Sequence, residues 1–270
     1  MMRTTTDFAN VLFSGPCNLR CPTCIGQQVD PRLNVDNLDL FPPRNLEVFI
    51  AQVNRCQIRD VILTGTNTDP QLYRHEARLI AWLRRHSGPG TRLSLHTNGQ
   101  LALCKIDLLN QYDKVSISLP SFDPDTYARM TGSRRVPDLA AIVRRLQVPV
   151  KVSCLIDEPN IAEVPAFLAR CRDAGVRRVV LRRLFGETRE WPILPDRRPT
   201  SFYRHNPVYD LGGMEVTYWR FDRTTSRSIN LFSDGTISTA YLLAEAHPSP
   251  PSPPLPGLGE GAPTRSDRWE

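Results

Sequence analysis

Over the first 183 residues, short apolar runs alternate with stretches in which apolar residues recur every three or four positions. Helices are predicted between the runs; the one over residues 164–174 has Val164, Phe167, Leu168 and Cys171 on one face and ends before Gly175. Six strand–helix units predict a parallel sheet, because each helix returns the chain to the same end. The six predicted strands are FANVLFS, DVILTG, RLSLHTNG, KVSISLP, VPVKVSCLID and VRRVVLRR.

Right-handed crossovers curl such a sheet toward a barrel, and six units are fewer than the eight of a closed barrel. We therefore expect an α/β fold, a partial (βα)6 TIM-like barrel over residues 1–183. In residues 184–246, MEVTYWRF and SINLFS are typical of antiparallel strands, and Asp234-Gly235 is a two-residue hairpin signal. This segment is expected to form a small β-containing cover that shapes the substrate region. Residues 247–270, rich in Pro, Gly and Ser, are expected to be disordered.

Charge and apolar content limit the classes of partner that the protein is expected to bind. The net charge is +6, but the arginine pairs are spread over the chain without interleaved aromatics, which argues against nucleic acid. The basic balance slightly favours an anionic substrate. No apolar run approaches the roughly 20 residues that span a bilayer, and the N-terminus lacks an apolar signal core. We expect a cytoplasmic protein that does not bind membranes.

Three of the seven cysteines lie in one loop, PCNLRCPTCIG, with the spacing C-x3-C-x2-C: Cys17, Cys21 and Cys24. Structural zinc normally takes four ligands, usually as two pairs, and the spacing does not select either His75 or His96 to complete such a site. A disulfide would leave one thiol over and suits an oxidising compartment. An iron–sulfur cube can accept four thiolates, so three leave one iron open, as in a catalytic metal site.

The other candidates have structural interpretations. Cys154 lies within a predicted strand and Cys171 on an apolar helical stripe, so both are expected to be buried thiols. Cys56 and Cys104 lie near apolar helix faces and are expected to be buried as well. His96 precedes Thr97-Asn98 and is expected to be a hydrogen-bonded core histidine, with a role as acid or base as the alternative. No catalytic side chain is identified.

The cysteine loop resembles the signature of the radical S-adenosylmethionine (radical SAM) enzymes, whose partial (βα)6 barrel agrees with the predicted fold. The resemblance implies one [4Fe-4S] cluster on the three cysteines and SAM on the open iron. It implies reductive cleavage of SAM to a 5′-deoxyadenosyl radical that abstracts hydrogen from a substrate. No cysteine follows the sixth predicted strand, so auxiliary clusters are not expected. An external electron donor such as flavodoxin or ferredoxin is implied, and the unidentified substrate is expected to be an anionic small molecule or a peptide.

The segment SISLPSFDPDTYARMTG resembles the fourth-strand region of the branch that contains the molybdopterin-precursor cyclase and peptide-maturing enzymes. This resemblance places Ser118 and either Arg182 or Arg183 at the SAM carboxylate and Ser153 at its ribose. After the second strand the family usually carries Gly-Gly-Glu-Pro, and before the third cysteine an aromatic residue; this chain has GTNTDP and Thr23. The remaining candidates for SAM binding, at the ends of the second and third strands, are Thr66, Asn67, Thr68, Asp69 and Asn98.

Two alternatives stay open at this point. One is a non-catalytic iron–sulfur redox or sensor protein on a degenerate barrel, which gains weight from the altered segment after the second strand. The other is a zinc-binding module with a histidine as fourth ligand that contacts nucleic acid through its arginines. Binding of SAM distinguishes the first from an enzyme, and metal analysis distinguishes the second.

Overall fold

The computed structural model describes residues 6–239, so the expected disorder of residues 247–270 and the end of the predicted cover lie outside the described residues. Six parallel strands follow one another in chain order at the centre of one sheet, which confirms the predicted succession. The described sheet ends in two edge strands, so the barrel is partial and open. The six strands are β1 (Phe8–Phe13), β2 (Asp60–Gly65), β3 (Arg92–Thr97), β4 (Lys114–Ser118), β5 (Val150–Ile156) and β6 (Arg178–Arg183).

Helices cover the outer face of this sheet. The first helix buries Leu46, Phe49, Ile50 and Val53, and the last buries the predicted stripe of Val164, Phe167, Leu168 and Cys171. The third helix has only four residues, because Lys105, directly before it, still has a non-helical backbone. The helices are α1 (Leu46–Arg55), α2 (Glu76–His86), α3 (Ile106–Leu109), α4 (Pro124–Thr131), α5 (Leu139–Arg145) and α6 (Val164–Asp173).

The C-terminal β-containing segment is present, and its strands join the same sheet. β7 (Ser201–Tyr203), β8 (Asn206–Asp210) and β9 (Glu215–Trp219) extend one edge; β10 (Ser228–Leu231) and β11 (Ile237–Ser238) extend the other. The prediction that MEVTYWRF and SINLFS are antiparallel strands is confirmed for one neighbour of each, because β9 is antiparallel to β8 and β10 to β11. It was wrong for the other neighbour, because β9 is parallel to β6 and β10 is parallel to β1. The division into domains stays a prediction.

The hairpin between β10 and β11 contains the predicted Asp234-Gly235 turn, but its loop has three residues. The Phe232 amide donates to the Thr236 carbonyl at 2.8 Å, which leaves Ser233, Asp234 and Gly235 in the loop. Gly235 has φ +98°, a left-handed conformation that glycine adopts without a steric cost.

A cavity of about 330 Å³ lies at the N-terminal ends of the central strands. Asp60 forms salt bridges with Arg92 at 2.6 Å and with Lys114 at 3.1 Å in its wall. The turn between β7 and β8 reaches this end, where Arg204 Nη1 lies 2.6 Å from Asp7 Oδ2. Paired charged side chains therefore lie at the ends of the strands opposite those where the chemistry is expected. No helix among residues 6–239 is long and apolar enough to cross a membrane.

Candidate functional site

The three clustered cysteines lie on the loop that leaves β1. Cys17 is exposed, and Cys21 and Cys24 are half-buried. The backbone turns back on itself here, since the Leu19 amide donates to Cys17 Sγ at 3.5 Å and the Cys24 amide to the Cys21 carbonyl at 3.2 Å. Burial, with a smaller contribution from the charges of Cys24 and Cys17, raises the pKa of Cys21 to about 11. The thiols are therefore close enough to influence one another electrostatically.

The donor set fits an iron–sulfur cube better than a single ion. A zinc ion with bonds of about 2.3 Å needs sulfurs less than about 4 Å apart. Among residues 6–239, no group of three His, Cys, Asp or Glu side chains has the arrangement that would hold one metal ion. In a four-iron cube each thiolate binds a different iron, so three thiols on one loop suit it.

Neither predicted histidine joins the cysteines. His75 Nε2 lies 3.0 Å from the Asp39 carbonyl and its ring packs against Tyr73. His96 lines the cavity at the opposite ends of the strands. A zinc site completed by either side chain is thus not formed in this structure.

Asn67, which follows β2, holds the cysteine loop at both ends. Its Oδ1 accepts the Ser14 hydroxyl at 2.8 Å and the Gly15 amide at 3.1 Å, where the loop begins. Where the loop ends, a Cβ on Gly26 would lie 2.5 Å from Asn67 Cβ, so only glycine fits there. Thr68 Oγ1 donates to the Pro16 carbonyl at 2.7 Å. The predicted SAM segment therefore also positions the cluster loop.

Thr66 is linked to the third cysteine. Its carbonyl lies 3.7 Å from Cys24 Sγ, and its hydroxyl donates to Asn34 Oδ1 at 2.6 Å. The Asn34 amide group in turn donates to the Gly26 carbonyl at 3.0 Å. Sequence reasoning missed Asn34 and Gly26, because neither residue type carries metal or catalytic chemistry; the glycine directly after the cysteine motif was the available signal.

Asp69 points away from the loop and into the protein. It is 3% exposed, and its carboxylate accepts the Gln71 amide at 2.9 Å, the Asn98 amide at 2.5 Å and the Thr97 hydroxyl at 2.9 Å. Burial raises the pKa of Asp69 to about 6, against the opposing effect of these hydrogen bonds. The carboxylate thus joins the loops after β2 and β3 and has three internal donors.

Asn98 connects the third strand to the cysteine loop. Its amide group donates to Asn18 Oδ1 at 2.7 Å, next to Cys17, and its own Oδ1 accepts the Gln100 amide at 3.0 Å. Asn98 is half-buried. The loops that follow β1, β2 and β3 are therefore joined by side-chain hydrogen bonds at one end of the sheet.

Strand register separates the two candidate arginines. Ser118 pairs with Ser153, so the two serines lie on one face of the sheet. Leu155 lies on the same face, two residues after Ser153, and pairs with Arg182, so Arg182 lies on this face as well. Arg183 lies on the opposite face, 1% exposed, where it donates to Asp222, to Glu190 at 3.2 Å and to the Thr188 carbonyl at 3.1 Å. Ser118 is exposed, Ser153 is buried and Arg182 is half-buried.

Of the four remaining cysteines, two are buried and two are exposed. Cys154 and Cys171 are buried, as predicted. Cys56 and Cys104 are exposed, so the prediction that they are buried thiols was wrong. Cys56 follows the last residue of α1 and Cys104 precedes α3, outside the helical turns whose apolar faces suggested their burial.

Comparison with known proteins gives a consistent result. The profile described as the radical SAM superfamily matches residues 11–186. A GTP 3′,8-cyclase of Rhodopseudomonas palustris is 28% identical over 244 residues, which are 83% of this chain and 68% of that protein. A GTP 3′,8-cyclase of Rhodococcus opacus is 26% identical over 166 residues, 59% of this chain and 46% of the relative.

Solved structures share the fold. Streptococcus suis SuiB bound to its precursor peptide SuiA superposes with a TM-score of 0.53 at 15% identity, over 67% of this chain and 40% of SuiB. SuiB bound to S-adenosylmethionine gives 0.53 at 14% identity, over 69% of this chain and 41% of SuiB. The chain thus spans about two fifths of the length of SuiB, and at these identities the likeness concerns the fold alone.

Proposed function

Because the chain belongs to the radical SAM superfamily, it is an enzyme that uses a [4Fe-4S] cluster and SAM, and we propose that Cys17, Cys21 and Cys24 are the cluster ligands. When bound, these groups supply one-electron cleavage of SAM and abstraction of a hydrogen atom from the substrate. The proposal is carried by one observation: three thiols on the loop after β1, whose ends are held by Asn67. A loop fixed in this way holds its ligands in place before the metal arrives.

For the SAM amine we propose the backbone carbonyls of Thr66, Asn67 and Thr68. The Asp69 carboxylate is the weaker candidate, because it already accepts three donors inside the protein. Turning it toward SAM would leave buried donors without acceptors, at a cost of about 1–3 kcal/mol for each. Asn98 would stand at the edge of this site, where it keeps Asn18 and the start of the cysteine loop in place.

For the SAM carboxylate and ribose we propose Ser118, Ser153 and Arg182, which lie on one face of the sheet. Arg183 is assigned a structural role instead, since it is buried between carboxylates and backbone carbonyls on the other face. Arg183 could contact a ligand only if it broke its ion pairs with two carboxylates, which would lose their partner.

For the substrate we propose an anionic small molecule or a peptide, with an external one-electron donor such as flavodoxin or ferredoxin. The basic net charge of +6 supports the first, and the shared fold with a peptide-bound enzyme supports the second. All seven cysteines are free, which supports a reducing cytoplasmic setting.

Anaerobic reconstitution tests the function. The loaded protein should contain about four irons and four sulfides per chain. With dithionite and SAM it should release 5′-deoxyadenosine. Replacing Cys17, Cys21 and Cys24 with alanine should abolish both results, whereas replacing the exposed Cys56 and Cys104 should change neither. A fully loaded protein that binds SAM but forms no 5′-deoxyadenosine would contradict the proposal.

A further inference from the structure

A group of exposed arginines borders the cysteine loop. Arg20 lies between two proposed cluster ligands, and its amide donates to the Thr131 carbonyl at 2.9 Å, which fixes the loop against the end of α4. Arg134 and Arg135 follow within four residues, and the Arg135 amide donates to Ser133 Oγ at 3.1 Å. We call Arg20, Arg134 and Arg135 the loop-side basic patch. All three side chains are exposed.

The position of this patch is set by the same contacts that order the site. A Cβ on Gly132 would lie 3.0 Å from the Arg20 carbonyl, so the two segments are in direct contact. On the other side, Gln100 Nε2 donates to the Arg135 carbonyl at 2.6 Å, and the Gln100 amide donates to Asn98. The backbone that carries the arginines is therefore held against the cysteine loop.

The charge of the patch is only partly neutralised. Arg134 contacts the exposed Asp125, and Asp123 caps α4 through its Oδ1. Among residues 6–239, Arg20 and Arg135 form no salt bridge. A surface with unneutralised cations beside exposed Cys17 attracts an acidic partner to the side from which the sulfurs are reached.

We propose that the loop-side basic patch is the docking surface for an acidic one-electron carrier protein, which delivers its electron to the cluster across the exposed edge of the cysteine loop. The proposal rests on the proposed function, because the electron is needed only if the three cysteines hold a cluster. The transfer is one electron from the carrier, which is oxidised, to the cluster, which is reduced, and no bond is made or broken. Charge complementarity requires an acidic occupant, and the lack of aromatic residues interleaved with the arginines favours a protein over the rival occupant, nucleic acid.

The test separates docking from chemistry. Cluster-loaded enzyme is mixed anaerobically with reduced flavodoxin, and the loss of the visible cluster absorption gives the reduction rate without requiring SAM cleavage. Arg134→Gln/Arg135→Gln should slow reduction about tenfold at low ionic strength, and the difference should shrink as salt rises. The control variant Arg144→Gln/Arg145→Gln loses the same charge at the exposed end of α5. Flavodoxin should reduce its cluster at the wild-type rate.

Reduction by dithionite is the internal control. The patch variant should keep its iron content and form 5′-deoxyadenosine with dithionite at the wild-type rate. Arg20→Gln provides a second test, with a slower flavodoxin reaction at unchanged iron content. Equal loss in the patch and control variants, or no loss in either patch variant, would overturn the docking surface. The docking surface would also be overturned if a single-stranded RNA protected Arg134 and Arg135 from chemical modification and flavodoxin did not protect them. A wild-type enzyme that flavodoxin reduces but that never cleaves SAM would instead defeat the proposed function alone.

Discussion

Asp69→Asn should remove a loss of folding stability that the wild-type protein undergoes as pH rises. The Asp69 carboxylate is 3% exposed, and burial raises its pKa from 3.8 to about 6, with a smaller contribution from the charge of Glu76. Between these pH values the folded protein keeps a proton on Asp69 that the unfolded chain has lost. Stability is therefore greatest below the unfolded pKa and falls as pH rises through the folded one.

The size of this effect follows from the two pKa values. The interval from 3.8 to about 6, at about 1.4 kcal/mol for each pH unit, amounts to about 3 kcal/mol. Asparagine does not titrate, so the variant lacks this loss. Its amide group would face the Asn98 amide, which now donates to Asp69 at 2.5 Å, and one donor left without an acceptor costs about 1–3 kcal/mol. The variant should be less stable than wild type near pH 4 and about equally stable near pH 7.

The measurement is urea unfolding of the cluster-free proteins at several pH values, because unfolding with loss of a cluster is not two-state. Apart from Glu76, whose charge interacts with Asp69, the other carboxylates titrate alike in both proteins, so the difference between the two curves reports Asp69 together with its coupling to Glu76. Curves that run parallel within about 0.5 kcal/mol from pH 4 to 7 would refute the argument that burial dominates at this carboxylate.

Three further outcomes are expected. Gly26→Ala should lower the iron bound on reconstitution, because the new Cβ would lie 2.5 Å from Asn67 Cβ, whereas Gly88→Ala, at 3.4 Å from Asn54 Oδ1, should not. Arg183→Met should lower the free energy of unfolding by about 1–3 kcal/mol in denaturant titrations, because Asp222 and Glu190 lose their partner. It should leave SAM affinity unchanged in equilibrium dialysis, whereas Arg182→Gln should lower that affinity. Cys171→Ser should destabilise the core by about 1–3 kcal/mol with unchanged iron content, because the hydroxyl enters an apolar surrounding.

The sequence was sufficient for the central architecture. DVILTG coincides with β2, and the stripe on α6 is buried as its spacing predicts, because continuous apolar runs and helical periodicity are local signals. The pairing of the C-terminal strands is not local. β9 joins β6, where Arg178 meets Glu215 at 3.5 Å, and β10 joins β1, where the Asn10 amide group donates to Asn230 Oδ1 at 2.8 Å. Partners that are not neighbours in the chain, 220 residues apart for Asn10 and Asn230, leave no periodic signal in either segment.

At the site, the sequence identified the sulfurs but not the orientation of their neighbours. Arg182 and Arg183 are adjacent, and successive side chains of a strand point to opposite faces, so only the register with Ser153 separates them. Asp69 looked like a substitute for the usual glutamate of the family, yet it points inward toward Thr97 and Asn98. Both outcomes depend on contacts between strands, which a single motif does not encode.

The segment after β2 therefore does two structural tasks at once. Asn67 and Thr68 bind the beginning of the cysteine loop, while Asp69, one residue later, binds the beginning of the loop after β3. With these side chains committed to neighbouring loops, the backbone carbonyls of the segment are the groups that remain for a ligand amine. A side chain changed for its effect on SAM would then also move the cysteines, so iron content has to be measured before any loss of SAM binding in this segment is assigned to a contact with SAM.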